Sequence, residues 1–147
     1  MIIMEKPIRK VFTMNSYLQN LRDNDIRSDL DVQRSAGMYS ANMNNELIFT
    51  ILTDDYIPPI ILGEDLKYQK WIIDGLQRST CFKLFKYTNY KITSSIRDSI
   101  VHYRKKVIGK DGGINWESAV CDIKGKTYET LPNELKQKFD EYQVETV

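Results

Sequence analysis

Cysteine, histidine, long apolar runs and an excess of either charge are all scarce in this 147-residue chain. The two cysteines, Cys81 and Cys121, lie 40 positions apart with no CxxC spacing, and His102 is the single histidine. A disulfide framework and a Cys/His metal site are therefore not expected, and both thiols should be free and buried. Apolar runs are short, such as Ile60-Ile61-Leu62 and Trp71-Ile72-Ile73, far below the roughly 18 residues of a membrane span. Residues 1–10 mix Ile2, Ile3 and Met4 with Glu5, Lys6 and Arg9. That mixture lacks the apolar core and cleavage site of a secretory signal, so a cytoplasmic setting with no membrane partner is expected. The 21 Lys and Arg against 20 Asp and Glu leave a formal charge of +1, which argues against a uniformly basic coat.

The chain does hold material for a core: 41% hydrophobic residues, including two tryptophans, nine tyrosines and five phenylalanines. The length suits a single domain spanning 1–147. Charge is unevenly spread, however. Residues 1–74 carry 8 basic and 11 acidic side chains, residues 75–110 carry 9 and 1, and residues 111–147 carry 4 and 8. The middle stretch, net +8, is the candidate anion-facing segment.

Periodicity predicts alternating helices and strands. Thr13 caps a first helix over about 14–23, with Met14, Tyr17, Leu18 and Leu21 on one face. Leu30 and Val32 form a short extended piece ending at Gln33-Arg34, and 35–40 reads as a loop. A second helix starts near Asn42 or Asn44 and presents Leu47, Ile48, Ile51 and Leu52. Pro58-Pro59 belongs at a strand start or edge, ahead of strands at 60–62 and 70–73. A third helix follows Asp74-Gly75. Ser94 is expected to cap a fourth, with Ile96, Ile100, Tyr103 and Val107 inward and Arg97, Arg104, Lys105 and Lys106 outward. Gly109–Gly113 reads as a flexible loop, 119–123 and 127–128 as a hairpin, and Pro132 as the start of a last helix before a strand at 144–147.

The stretch most suggestive of chemistry runs from Trp71 to Thr80, WIIDGLQRST. A strand delivers Asp74-Gly75 and a helix begins at once, so the free N–H groups of the first turn attract an anion. Gly75 permits close backbone approach, and Arg78 supplies a fork of donors suited to phosphate oxygens. Ser79 and Thr80 offer hydroxyls to phosphate or to a metal-bound water. A carboxylate here suits a divalent cation, a water or a sugar hydroxyl, which makes Asp74 the candidate metal ligand. The local alternative is Asp74 as a helix cap with Gln77 as its capping-box partner and Arg78 solvated.

The DGLQRST segment resembles the DGQQRxT signature of the N-terminal domain of GmrSD-type modification-dependent restriction enzymes, in the ParB/sulfiredoxin-like superfamily. Leu30–Arg34 is similar to that family's upstream Gln-Arg strand end, Glu46–Leu52 to its second helix, and Ile57–Ile60 to its IPPI strand. Asp122–Lys126 with Leu131-Pro132, Glu134-Leu135 and Phe139 is similar to its hairpin and last helix. The likeness spans 13–147. Leu76 replaces the first glutamine of the signature, Asp31-Val32 stands where a proline is usual, and the following aromatic pair is reduced to Met38-Tyr39.

The resemblance implies an α+β single domain of the ParB/sulfiredoxin-like type, a small mixed sheet flanked by helices. It implies nucleoside triphosphate binding and hydrolysis with Mg2+, coupled to DNA and to a separate effector or nuclease chain. Asp74, Gln77 and Arg78 would then be catalytic. Gln33, Arg34, Gly75, Leu76, Ser79 and Thr80 would bind the nucleotide, with Arg34 as a second guanidinium. Lys83, Lys86, Arg97, Arg104, Lys105 and Lys106 are the candidate DNA contacts, against the plainer reading of a solvated basic face.

Three other readings stay open. A sulfiredoxin-like thiol is disfavoured, because Leu76 stands at the cysteine position. A metal-dependent nuclease would need Asp74, Asp54 and Asp55 to converge. A non-enzymatic nucleotide- or DNA-binding module would need hydrolysis supplied by a partner. His102 is expected to be a surface or packing residue.

Overall fold

The computed structural model describes residues 2–3, 8–28, 40–93, 96 and 98–147. The extended piece at Leu30 and Val32, the Gln33-Arg34 pair, Ser94 and Arg97 lie outside the described residues.

Hydrophobic spacing places the helices. Helix α1 (Met14–Arg22) is capped by Thr13, whose Oγ1 accepts from the Ser16 N–H at 3.2 Å, and it buries Met14, Tyr17, Leu18 and Leu21. Helix α2 (Ala41–Leu52) begins at Ser40, whose Oγ accepts from the Met43 N–H. It buries Ile48, Ile51 and Leu52, but also Asn45, which donates to Thr93 Oγ1 and accepts from the Tyr90 hydroxyl. That pairing offsets the cost of burying an amide. Helices α3 (Leu76–Tyr87) and α4 (Asn133–Asp140) follow later in the chain.

Among the described residues the strands β1 (Ile2–Ile3), β3 (Ile26–Arg27), β4 (Ile61–Asp65) and β5 (Lys70–Asp74) form one mixed sheet in the order β1-β4-β5-β3. Only β3 and β5 run parallel in it. Strands β2 (Lys10–Thr13) and β8 (Gln143–Thr146) pair antiparallel. Ile60 ties this pair to the sheet, because its N–H donates to Glu145 and its carbonyl accepts from Val147. Pro58 and Pro59 sit just ahead of that junction, where no ladder donor is needed. The core fills the space between sheet and helices. Phe85, Tyr128 and Phe139 meet edge to face, and Tyr17 meets Phe82 in the same way. The architecture is a mixed α/β domain with a small sheet flanked by helices. No helix among the described residues is long and apolar enough to cross a membrane.

One expected element is overturned. Residues 100–108 are not helical: β6 (Ile100–Ile108) pairs antiparallel with β7 (Ile114–Asp122) along its whole length. The Gly109–Gly113 segment, expected to be a flexible loop, closes this ribbon, with the Gly109 N–H on the Gly113 carbonyl and Gly112 at φ 79°. Ile100, Val101, Val107 and Ile108 are β-branched and disfavour helix, and a Gly-rich five-residue turn is a hairpin signal. The expected hairpin at 119–128 moves accordingly. Residues 119–122 belong to β7, and turns at 124–125 and 128–130 follow, the Gly125 N–H donating to the Ile92 carbonyl.

Candidate functional site

Strand β5 buries Ile72 and delivers Asp74 to the surface, where its side chain is 74% exposed. Gly75 follows as the N-cap of α3 at φ 107°. A Cβ there would lie 2.5 Å from Ile60 Cδ1 and 3.0 Å from Arg78 Nη2, so the turn depends on glycine for both conformation and space. No side-chain cap closes the helix start. The capping bond weighed for Asp74 is thus not formed, and the first-turn N–H groups keep their capacity to bind an anion.

Arg78 folds back over that turn. Its side chain is only 12% exposed, Nη2 donates to the Pro59 carbonyl at 3.1 Å, and it lies 3.6 Å from Asp74 Oδ2. Nε is buried and has no hydrogen-bond partner among the described residues. The solvated arginine of the local alternative is therefore not what forms. A buried guanidinium edge without an acceptor asks for one.

The Ser79 and Thr80 hydroxyls, expected at the phosphate, both donate to carbonyls at the start of their own helix. The Ser79 hydroxyl is buried, accepts from Tyr17 at 2.6 Å and donates to the Gly75 carbonyl at 2.9 Å. Thr80 Oγ1 donates to the Leu76 carbonyl. The chain Tyr17–Ser79–Gly75 instead braces the turn against α1. Burial raises the Tyr17 hydroxyl to about 12, against lowering by the Ser79 bond and the Arg78 charge, so Tyr17 acts as a neutral donor. Leu76 and Gln77 are half-buried beside the turn.

Among the described residues no group of three or more His, Cys, Asp or Glu side chains is arranged to hold a metal ion. Asp74 stands as a lone carboxylate, which suits Mg2+ only if phosphates supply further ligands. Asp54 and Asp55 border a different cleft of about 480 Å3 with Glu141 and Glu145, and Asp74 does not line it. The convergence required for a two-metal nuclease is absent among these three residues. Cys81 is buried, with its thiol on the Asn44 carbonyl and pushed up to about 12 by burial, as befits a core residue.

The expected DNA-binding set divides. Lys86 leaves it: Nζ donates to Asp140 Oδ1 at 2.6 Å and to the Tyr128 hydroxyl at 2.8 Å, while Tyr128 donates to Asp140 Oδ2. Burial lowers the Lys86 pKa, but the bonds to Asp140 and Tyr128 outweigh it and the net shift is upward. This lysine is a structural cation. Lys83 is half-buried on α3, and Arg97 lies outside the described residues. Arg104, Lys105 and Lys106 are exposed, but on a strand. Strand alternation puts Arg104 and Lys106 on one face with His102, whereas Lys105 occupies the other, opposite Glu117.

Sequence reasoning missed the surroundings of that first face. Lys106 pairs across the ribbon with Trp116, which is 60% exposed. An open cleft of about 940 Å3 separates the ribbon from the polar side of α4. Reading 100–108 with a period of two and pairing it across the Gly-rich turn would have found it. Compared with protein families, curated proteins and solved structures, the chain matches none.

Proposed function

We propose that the chain is a nucleotide-binding domain of the ParB/sulfiredoxin-like type, serving a DNA-directed restriction, defence or phage system and hydrolysing a nucleoside triphosphate with Mg2+. The observation that carries this reading is the uncapped α3 N-terminus with the Arg78 guanidinium folded over Gly75 and its Nε unpartnered among the described residues. Phosphate oxygens would accept from Arg78 and from the N–H groups near Leu76 and Gln77. Asp74 would hold the phosphate-bound Mg2+, and Gln77 would orient the attacking water. The similarity of DGLQRST to the GmrSD-type signature supports the same site. Gln33 and Arg34 are proposed to complete it, and an effector or nuclease chain is the proposed partner.

The test is titration of a labelled nucleotide against the wild type and Arg78→Lys, which keeps the charge and loses the fork. Affinity should fall at least tenfold; equal affinity refutes the assignment. Phosphate release from ATP, GTP, CTP and UTP with Mg2+, with and without DNA, against an Asp74→Ala control, then separates an enzyme from a binding module.

A further inference from the structure

The ribbon and α4 carry a second surface that shares no residue with the Gly75 turn. Beyond Tyr103 and Ala119 the ribbon is solvent-exposed on most of both faces, and its tip leaves Ile108 and Ile114 open. Alternation sorts its side chains. On the face with His102, Arg104 and Lys106, the opposite strand contributes Val120, Ser118 and Trp116. The other face pairs Lys105 with Glu117 and so cancels its charge. Cations thus line one strand, and an exposed aromatic stands beside them on the other.

His102, Arg104, Lys106 and Trp116 also line the 940 Å3 cleft, whose far wall carries Glu134, Gln137 and Lys138 of α4 and Glu141 just past its end. The charged groups of the ribbon side are all cations, whereas the helix side mixes two carboxylates and an amide with one lysine, Lys138. A polyanion lying evenly across it would meet the carboxylates. A second copy packed face to face on the ribbon would set Arg104 and Lys106 against their own like charges.

We infer that this cleft binds a single-stranded stretch of DNA, with backbone phosphates on Arg104 and Lys106, a base stacked on Trp116, and base edges turned to Glu134 and Gln137. Alternate residues on a strand are about 7 Å apart, which matches the stride between successive phosphates of an extended strand. Cationic tracking of the backbone combined with aromatic stacking is how single strands are held without a duplex. Carboxylate and amide groups accept from and donate to exposed base edges, as they do in single-strand readout. The inference shares with the proposed function only the expectation of a DNA partner.

The test uses full-length protein without nucleotide or Mg2+. In a Trp71→Phe background Trp116 is the only tryptophan, and its fluorescence should quench on addition of an oligothymidylate of about 15 nucleotides. Anisotropy of the labelled oligonucleotide should show Trp116→Ala weakening binding about tenfold, within the range for loss of one stacked base. Arg104→Gln/Lys106→Gln should lower the salt slope by about 1.4, two contacts at about 0.7 each for a single strand. Lys105→Gln, on the other face, should leave the slope unchanged, and Arg78→Lys should leave oligonucleotide binding intact even where it abolishes nucleotide binding. The inference is overturned by absence of binding, by an equal effect of Lys105→Gln, by a blunt duplex binding as tightly as the single strand, or by phosphatidylserine vesicles quenching Trp116 where the oligonucleotide does not.

Discussion

Substituting Gly75 by alanine isolates what the turn beneath the proposed phosphate site demands. Two costs combine. At φ 107° any L-residue is strained, which costs about 1–2 kcal/mol. The new Cβ also arrives 2.5 Å from Ile60 Cδ1, and Ile60 has no open space to retreat into because it is fully buried. Overpacking of that kind typically costs about 1–3 kcal/mol. Together these give about 2–5 kcal/mol, and at 2–4 °C per kcal/mol for a domain near this size the melting temperature should fall by about 4–20 °C. Gly112→Ala is the internal control. Its φ of 79° is also left-handed, but nothing lies within 4 Å of its added Cβ, so only the first cost applies. Melting followed by circular dichroism, with calorimetry to check two-state behaviour, measures the pair. A second variant tests the clash itself: Ile60→Val removes Cδ1, so Gly75→Ala/Ile60→Val should lose less than the sum of the single variants. Equal losses at Gly75 and Gly112, or simple additivity with Ile60→Val, would refute the argument that Ile60 and Arg78 close over a glycine.

The remaining predictions concern burial. Tyr17, Tyr142 and Cys81 are each pushed up to about 12 by burial, so the folded state holds these protons more tightly than the unfolded chain. Their contribution is complete below the unfolded values and declines as pH rises through about 9–12. Urea unfolding midpoints should therefore fall across that window, and a flat profile to pH 12 would contradict it. Lys86→Met strands Asp140 without its cation, and the variant should lose about 1–3 kcal/mol, discounted from the fully buried case because both side chains retain some exposure. A double-mutant cycle with Asp140→Leu should recover part of that loss. Both thiols are buried, so a disulfide reagent should label neither in native protein within minutes and both in urea; rapid native labelling would place a cysteine at the surface.

Much of this fold was legible because local signals and burial agree. Thr13 caps α1 as expected, and Met14, Tyr17, Leu18 and Leu21, which share one face by spacing, are the residues that helix buries. Residues 100–108 misled because Ile100, Tyr103 and Val107 fit a helical period while Val101 and Tyr103 also fit a strand. Only the pairing partner decides between them, and that partner lies beyond a glycine turn: Val101 meets Cys121 and Tyr103 meets Ala119. A strand identity set by a segment some twenty positions away is invisible to a window that reads one face at a time.

At the turn, the same division separates what neighbours in sequence determine from what folding back determines. Gly75 was legible, since a strand running straight into a helix leaves room for little else. Arg78 was legible as a cation, but its burial depends on the Pro59 carbonyl nineteen positions upstream, which lies ahead of β4 and outside its ladder. The Ser79 and Thr80 hydroxyls read as phosphate or water ligands from their place in the motif, but the motif alone does not say which way they turn. On a helix each residue turns by about 100°, so Arg78 and Ser79 diverge: one closes over the turn while the other enters the core to meet Tyr17. Proximity in the motif thus distributes its residues between two jobs. Ser79 holds the helix start against α1, and that anchoring fixes the first turn on which any phosphate would rest. Tyr17→Phe separates them: removing the hydroxyl leaves Arg78 untouched, so it should lower stability by about 1 kcal/mol while reducing nucleotide affinity far less than Arg78→Lys. Equal losses of affinity would mean that the brace, not the guanidinium, governs the site.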